Sequence, residues 1–180
     1  MPAFEKFPSI KRLKRNCVIT EKLDGTNAQV NFDADGNILC GSRKRVIIPG
    51  DDNAGFAKWA YENKEQLFNI LGEGRHFGEW WGLGIGRKYG MTRKVFSLFN
   101  AGRWHEDHLV GVEQLSVVPI LYSGEFTTDA VDDAMSRLEP ESIAAPGFTR
   151  PEGVVVYHSQ LHEMFKVTFE HDGTGKPFGH

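Results

Sequence analysis

Thr20-Glu21-Lys22-Leu23-Asp24-Gly25-Thr26-Asn27 stands directly behind the apolar run Cys17-Val18-Ile19 and ahead of Ala28-Gln29-Val30-Asn31-Phe32. The second flank alternates apolar and polar residues with period two, as a strand with one buried face does. The octapeptide therefore reads as a strand end entering an Asp-Gly turn that feeds a second strand. That context holds the Lys22 amine at the mouth of a sheet, where a lysine serves as a nucleophile rather than as a surface charge. Lys-x-Asp-Gly alone is a weak signal, because four-residue patterns recur by chance and a solvated lysine is the bland alternative.

Outward from this point, Asp33-Ala34-Asp35-Gly36-Asn37 carries a hairpin turn signal, with Ile38-Leu39-Cys40 as the returning strand. Asn53 to Leu71 reads as a helix: Phe56, Trp59, Ala60, Leu67, Ile70 and Leu71 share a face. Asp52 or Asn53 caps its start and Gly72 ends it. Short apolar runs follow at Phe77–Trp81, Val95–Phe99, Val117–Leu121, Gly153–Tyr157 and Met164–Phe169, with a second helix over Asp129–Leu138. Many short strands, few helices and antiparallel turn signals predict an α+β chain of one domain spanning 1–180. The ends are read as a basic segment over 1–16 and a mobile tail over 170–180.

Charge narrows the partners. The 180 residues carry 21 Lys and Arg against 24 Asp and Glu, a net −3, so nucleic acid would be held by local basic patches rather than bulk charge. Such patches exist at Lys11–Arg15, Arg43–Arg45 and Arg87–Lys94. Two cysteines, Cys17 and Cys40, are too few for a disulfide framework and read as buried thiols in a reducing compartment. No apolar run is long enough to span a bilayer and no signal-peptide pattern is evident, so no membrane partner is expected. The expectation is an intracellular, cytoplasmic protein, a phage protein in its host's cytoplasm included.

The order of the remaining motifs gives Lys22 its weight. Lys-x-Asp-Gly resembles the nucleophile motif of the covalent nucleotidyltransferases, the ATP-dependent DNA and RNA ligases and mRNA capping enzymes. Ser42-Arg43 then resembles the family's Ser-Arg pair, and Phe77-Gly78-Glu79-Trp80-Trp81-Gly82 its Gly-Glu motif. Phe96-Ser97-Leu98-Phe99-Asn100 resembles the aromatic motif, with Asn for the usual Asp. Pro151-Glu152-Gly153-Val154-Val155-Val156 and Phe165-Lys166-Val167-Thr168 resemble the last two. Glu21 before the lysine and Gly25-Thr26-Asn27 after it point within the superfamily to phage-type RNA ligases, as does the glycine-rich segment Trp81–Gly90.

The resemblance implies an antiparallel-sheet, ATP-grasp-like adenylyltransferase core. From the chain length no OB-fold domain is expected. It implies ATP as AMP donor and Mg²⁺ or Mn²⁺ as cofactors, with Lys22 capturing AMP. Lys166 would meet the α-phosphate and Asp24 would assist the nucleophile. For the nucleotide, Glu21 would read adenine, Asn27 would lie near the phosphates and Arg43 would contact ribose or phosphate. Glu79 would hold the ribose, and Phe96, chosen over Phe99 by spacing, would stack on the base. Glu152 would serve the metal. The implied function is an RNA ligase joining 5′-phosphate and 3′-hydroxyl ends through lysyl-AMP and an adenylated 5′ end. Its partner is nucleic acid, RNA ends or nicks, with a protein partner supplying further contacts. The alternatives are a DNA-nick ligase, an end-adenylating transferase, and an inactive nucleotide-binding module.

One departure is chemical. Ligases carry two alternating lysines in the last motif, whereas here Thr168 stands where the second would be, and Lys176 is a remote substitute. His105 with His108, and His158 with His162, read as surface residues rather than metal ligands, and Asp51-Asp52 as helix capping.

Overall fold

The two strands flanking the octapeptide do not pair with each other. In the computed structural model, which describes residues 3–170, β1 (Asn16–Lys22) and β2 (Thr26–Phe32) belong to different sheets. Leu23-Asp24-Gly25 is the crossing between them. The further strands are β3 (Ile38–Ser42), β4 (Val46–Ile47), β5 (Gly74–Gly82), β6 (Lys94–Leu98), β7 (Leu115–Val117), β8 (Ile120–Glu125), β9 (Gly153–His158) and β10 (Glu163–Thr168). One sheet runs β10-β9-β1-β8 and the other β4-β3-β2-β5-β6-β7. All pairings are antiparallel except the parallel β6–β7 pair.

Each sheet has one face buried under helices. The six-stranded sheet turns Val30, Phe32, Cys40, Trp80, Phe96 and Leu98 towards α1 (Phe56–Glu62) and α2 (Lys64–Leu71), where they meet Phe56, Trp59, Leu67 and Leu71. The four-stranded sheet buries Cys17, Ile19, Val154 and Val156 under α3 (Thr128–Leu138), whose Ala130, Val131, Ala134 and Leu138 pack there. Successive residues of a strand alternate between faces, so the opposite faces carry a second set of side chains. These include Thr20 and Lys22 on one sheet and Asn27, Gln29 and Glu79 on the other.

Two sequence expectations are corrected. The single helix over Asn53–Leu71 is two helices broken at Asn63, whose amide donates to the Trp59 carbonyl at 2.8 Å. Asp52 caps it as expected, Oδ1 accepting from the Ala57 N–H at 2.7 Å and Oδ2 from the Lys58 N–H at 2.9 Å. The apolar run Val117–Leu121 is likewise no single strand. It is the end of β7 and the start of β8, and the chain changes sheets at Val118-Pro119, since proline has no N–H to offer a ladder. Cys17 and Cys40 are free, buried thiols, and burial pushes Cys40 up to about 12.

Residues 3–15 form no regular element and are exposed. Gln160 ties their end down, accepting from the Lys14 N–H at 2.7 Å and donating to the Arg12 carbonyl at 3.1 Å. Most of the expected tail, and Lys176 with it, lies outside the described residues. Among the described residues no helix is long and apolar enough to cross a membrane.

Candidate active site

The crossing at Leu23-Asp24-Gly25 brings Lys22, at the end of β1, against Glu152, one residue before β9. Lys22 Nζ lies 2.8 Å from Glu152 Oε1, both side chains being largely buried. The register brings Glu152 near, because Lys22 pairs with Gly153 and Glu152 immediately precedes it, outside the strand, where the backbone bends at Gly153 with φ 144°. The other oxygen, Glu152 Oε2, is buried and has no hydrogen-bond partner among the described residues.

Glu79 closes the site from the other sheet. Oε1 accepts from the Gly25 N–H at 3.1 Å and Oε2 from Asn27 Nδ2 at 3.0 Å, so the carboxylate holds the turn that follows the lysine. Only glycine fits at 25, because a Cβ there would lie 2.4 Å from the Trp80 carbonyl oxygen. Glu79 is 7% exposed. Burial pushes its carboxyl up to about 7, against the opposing pull of Lys22 and the two N–H donors, and nearby Glu152 adds to the rise. Lys22, Asn27, Glu79 and Glu152 thus form one electrostatic unit assembled from both sheets.

Lys166 reaches the same side of its sheet by register. It pairs with Val155, which pairs with Thr20, and directly opposed residues share a face. Lys166 is exposed there, and Thr168, two residues on, is buried opposite Gly153 on that face.

Asp24 is committed to the chain that covers it. Its N–H donates to the Tyr89 hydroxyl at 2.8 Å, and its Oδ2 accepts from the Arg87 N–H at 3.1 Å. The Arg87 guanidinium reaches Asp24 Oδ2 at 3.4 Å and Glu170 at 2.8 Å, and donates to the Arg150 carbonyl at 3.2 Å. Sequence reasoning placed Arg87 in a basic patch for nucleic acid, whereas its guanidinium is paired with Asp24 and Glu170, and it gave Tyr89 no role of its own, although the glycine-rich segment that holds both was noticed.

Two residues stand elsewhere than the sequence placed them. Phe96 is 0% exposed and packs with Phe56 and Trp59, on the helix-covered face of β6. A ring sealed in the core offers no face to a base. Alternation explains this, because Ser97, not Phe96, is opposite Glu79. Phe99, 37% exposed, continues the Ser97 side, and its N–H bonds the Phe77 carbonyl at 3.0 Å. Glu21, 1% exposed, points away from Lys22 and towards the α3 side. Its carboxylate accepts from the Ser142 hydroxyl at 2.5 Å and from the Ile143 and Ala144 N–H groups at 3.0 and 2.9 Å. Both oxygens are thereby used to hold the 142–145 turn rather than to read a base. Burial raises the carboxyl and these donors oppose the rise. Arg43 follows β3 and is exposed, with no hydrogen bond or ion pair to the Lys22 unit among the described residues. It lines an open groove of ≈ 410 Å³.

A divalent cation fits the donor set here in one way. No three His, Cys, Asp or Glu among the described residues could enclose an ion. The partnerless Glu152 Oε2 supplies a single carboxylate arm, which matches a cation that keeps several waters and takes the rest of its ligands from substrate phosphates.

A family model described as RNA ligase matches residues 15–168. The fold is similar to that of an RNA ligase from Naegleria gruberi solved with PPi: TM-score 0.62, 22% identity, 86% of this chain and 49% of that one. A lysine-to-alanine mutant of the same ligase with ATP and Mn gives TM-score 0.63 and 21% identity, over 86% and 50% of the two chains. The chain therefore spans about half the length of these ligases. Among curated proteins none matches this sequence.

Proposed function

Because the chain belongs to the RNA ligase family, we propose that it is the adenylyltransferase core of an ATP-dependent RNA ligase, with Lys22 as the residue that carries AMP. The observation that carries this reading is the pairing of Lys22 with Glu152 at 2.8 Å beside the buried Glu79, assembled from two sheets by one Asp-Gly crossing. A surface lysine needs no such enclosure, and two buried carboxylates around an amine are costly unless they serve it.

In this reading the Lys22 ammonium releases a proton to water, and the neutral amine attacks the α-phosphorus of ATP. The N–P bond forms as the bond to the β-phosphate oxygen breaks, and pyrophosphate leaves. Glu152 Oε1 holds the amine in line. Lys166, on the same face, offsets charge on the phosphates, since phosphoryl transfer rests on positioning and electrostatics. Glu79 accepts from the ribose hydroxyls, Asn27 lies between it and the phosphates, and Phe99, in place of Phe96, stacks on the base. Asp24 holds the crossing through Arg87 and Tyr89. A divalent cation bound through Glu152 and water would neutralise phosphate charge. AMP then passes to an RNA 5′-phosphate, and a 3′-hydroxyl displaces it to seal the strand.

Offering the protein ATP, Mg²⁺ and three substrates tests the assignment: 5′-phosphorylated single-stranded RNA, nicked duplex RNA and nicked DNA. Sealing of RNA is the expected result. Sealing of nicked DNA alone would overturn the RNA assignment, and accumulation of adenylated ends without sealing would make the chain an end-adenylating transferase.

A further inference from the structure

We propose that the exposed part of the second face of the six-stranded sheet, over β2, β3 and the start of β5, is a docking groove for an unpaired RNA strand, which rests on the RNA ligase reading above. The face begins at the catalytic unit. Asn27, Gln29 and Asn31 alternate onto one side of β2, and Asn27 is the residue that bonds Glu79. Across the ladder, Phe77 stands opposite Gln29 and Arg75 opposite Asn31, so a row of side chains leads away from Glu79 along two neighbouring strands.

The chemistry of the row is that of a polynucleotide site. Arg43, Lys44 and Arg75 line the groove and have no carboxylate partner among the described residues, while Arg45 beside them is paired with Asp51 at 2.6 Å. No Asp or Glu lines it. In a chain of net charge −3, three unneutralised cations around one depression are a charge pattern complementary to a phosphate backbone. Phe77 is 50% exposed, and the Arg75 guanidinium lies 6.0 Å from its ring centre. An exposed ring backed by arginine is a stacking platform for a base. Gln29 and Asn31 supply amides that bond base edges. Gly41 keeps the floor open, because a Cβ there would meet Gln29 Cγ at 2.9 Å.

Stacking and edge contacts need bases free of a helix. A-form duplex hides its base faces and displays backbone and 2′-hydroxyls. The groove therefore selects the unpaired stretch of a substrate and leads it to Lys22, which supplies part of the grip that the sequence assigned to a separate partner.

The test compares the parent with Arg75→Ala/Phe77→Ala and, separately, Lys44→Glu, all exposed positions whose folding is checked by Tm. Binding of a short fluorescent single-stranded RNA is followed by anisotropy over a salt series. The double variant should bind about tenfold more weakly, with a salt slope shallower by about 0.7 for the lost cation. Lys44→Glu should weaken binding in the same direction, and AMP loading of Lys22 should be unchanged in both. Variant affinities within twofold of the parent, a parent that does not bind, or an equal loss on blunt duplex RNA would each overturn the groove. Failure of AMP loading in the parent overturns the ligase reading instead, and the binding comparison is read independently of it.

Discussion

Replacing Glu79 by glutamine should change how stability depends on pH, by an amount fixed by the site itself. The carboxyl's ordinary value of 4.5 is pushed up to about 7 in the fold, chiefly because it is buried. Between those values the folded protein holds a proton that the unfolded chain has lost. Stability therefore falls as pH rises through this window, and the full penalty is present above 7. At ~1.4 kcal/mol per pH unit the gap amounts to about 3 kcal/mol. In a domain of this size that corresponds to roughly 6–12 °C of Tm. Glu79→Gln removes the ionisation. Its oxygen still accepts one N–H, and the loss of the other bond is a pH-independent offset. Urea or thermal unfolding in metal-free, nucleotide-free buffer should show the stability difference, variant minus parent, growing by about 3 kcal/mol from pH 4.5 to 8. A difference that stays flat across this range would mean that Glu79 ionises normally in the fold.

Four other substitutions separate structure from recognition. Phe96→Ala should cost about 3–5 kcal/mol of stability as a core truncation, whereas Phe99→Ala should leave Tm within a few degrees and raise the KM for ATP. The opposite pattern would restore Phe96 as the stacking residue. Glu21→Gln should cost about 1–3 kcal/mol by disturbing a fully bonded buried carboxylate, with the preference for ATP over GTP intact in the AMP-loading reaction. A switch towards GTP would show that Glu21 reads the base. Arg87→Ala frees Asp24 from Glu170 and Arg150, and should slow AMP loading about tenfold with a small fall in Tm; unchanged loading would reduce Arg87 to a surface tie.

Which motifs of the candidate site stand together was legible because register transmits sequence into space. Lys22 pairs with Gly153, so a motif at 151–156 had to arrive beside the lysine. Asn27 pairs with Glu79, so the Gly-Thr-Asn and Gly-Glu motifs had to meet. Parity decided what was misread. Phe96 and Phe99 look alike in sequence, but one residue of register moves a side chain to the other face, and only the pairing of Ser97 with Glu79 shows which aromatic is free. Glu21 was misplaced for the same reason, since its side chain must leave β1 opposite to Lys22, where Ser142 awaits it. That partner is 121 residues away in sequence, and no local pattern announces it. The break at Asn63 and the sheet change at Pro119 rest on single residues inside runs whose apolar pattern is continuous: an amide bonded to the Trp59 carbonyl and a proline without an N–H.

If Lys22 is the nucleophile that carries AMP, loading leaves a covalent mark on the chain. Intact-mass measurement after incubation with Mg²⁺ and each of ATP, GTP and NAD tests it directly. The expected result is a mass gain of one AMP moiety with ATP, abolished in Lys22→Ala and lost on adding pyrophosphate. An unmodified chain under every nucleotide, or an adduct that persists in Lys22→Ala, would contradict it.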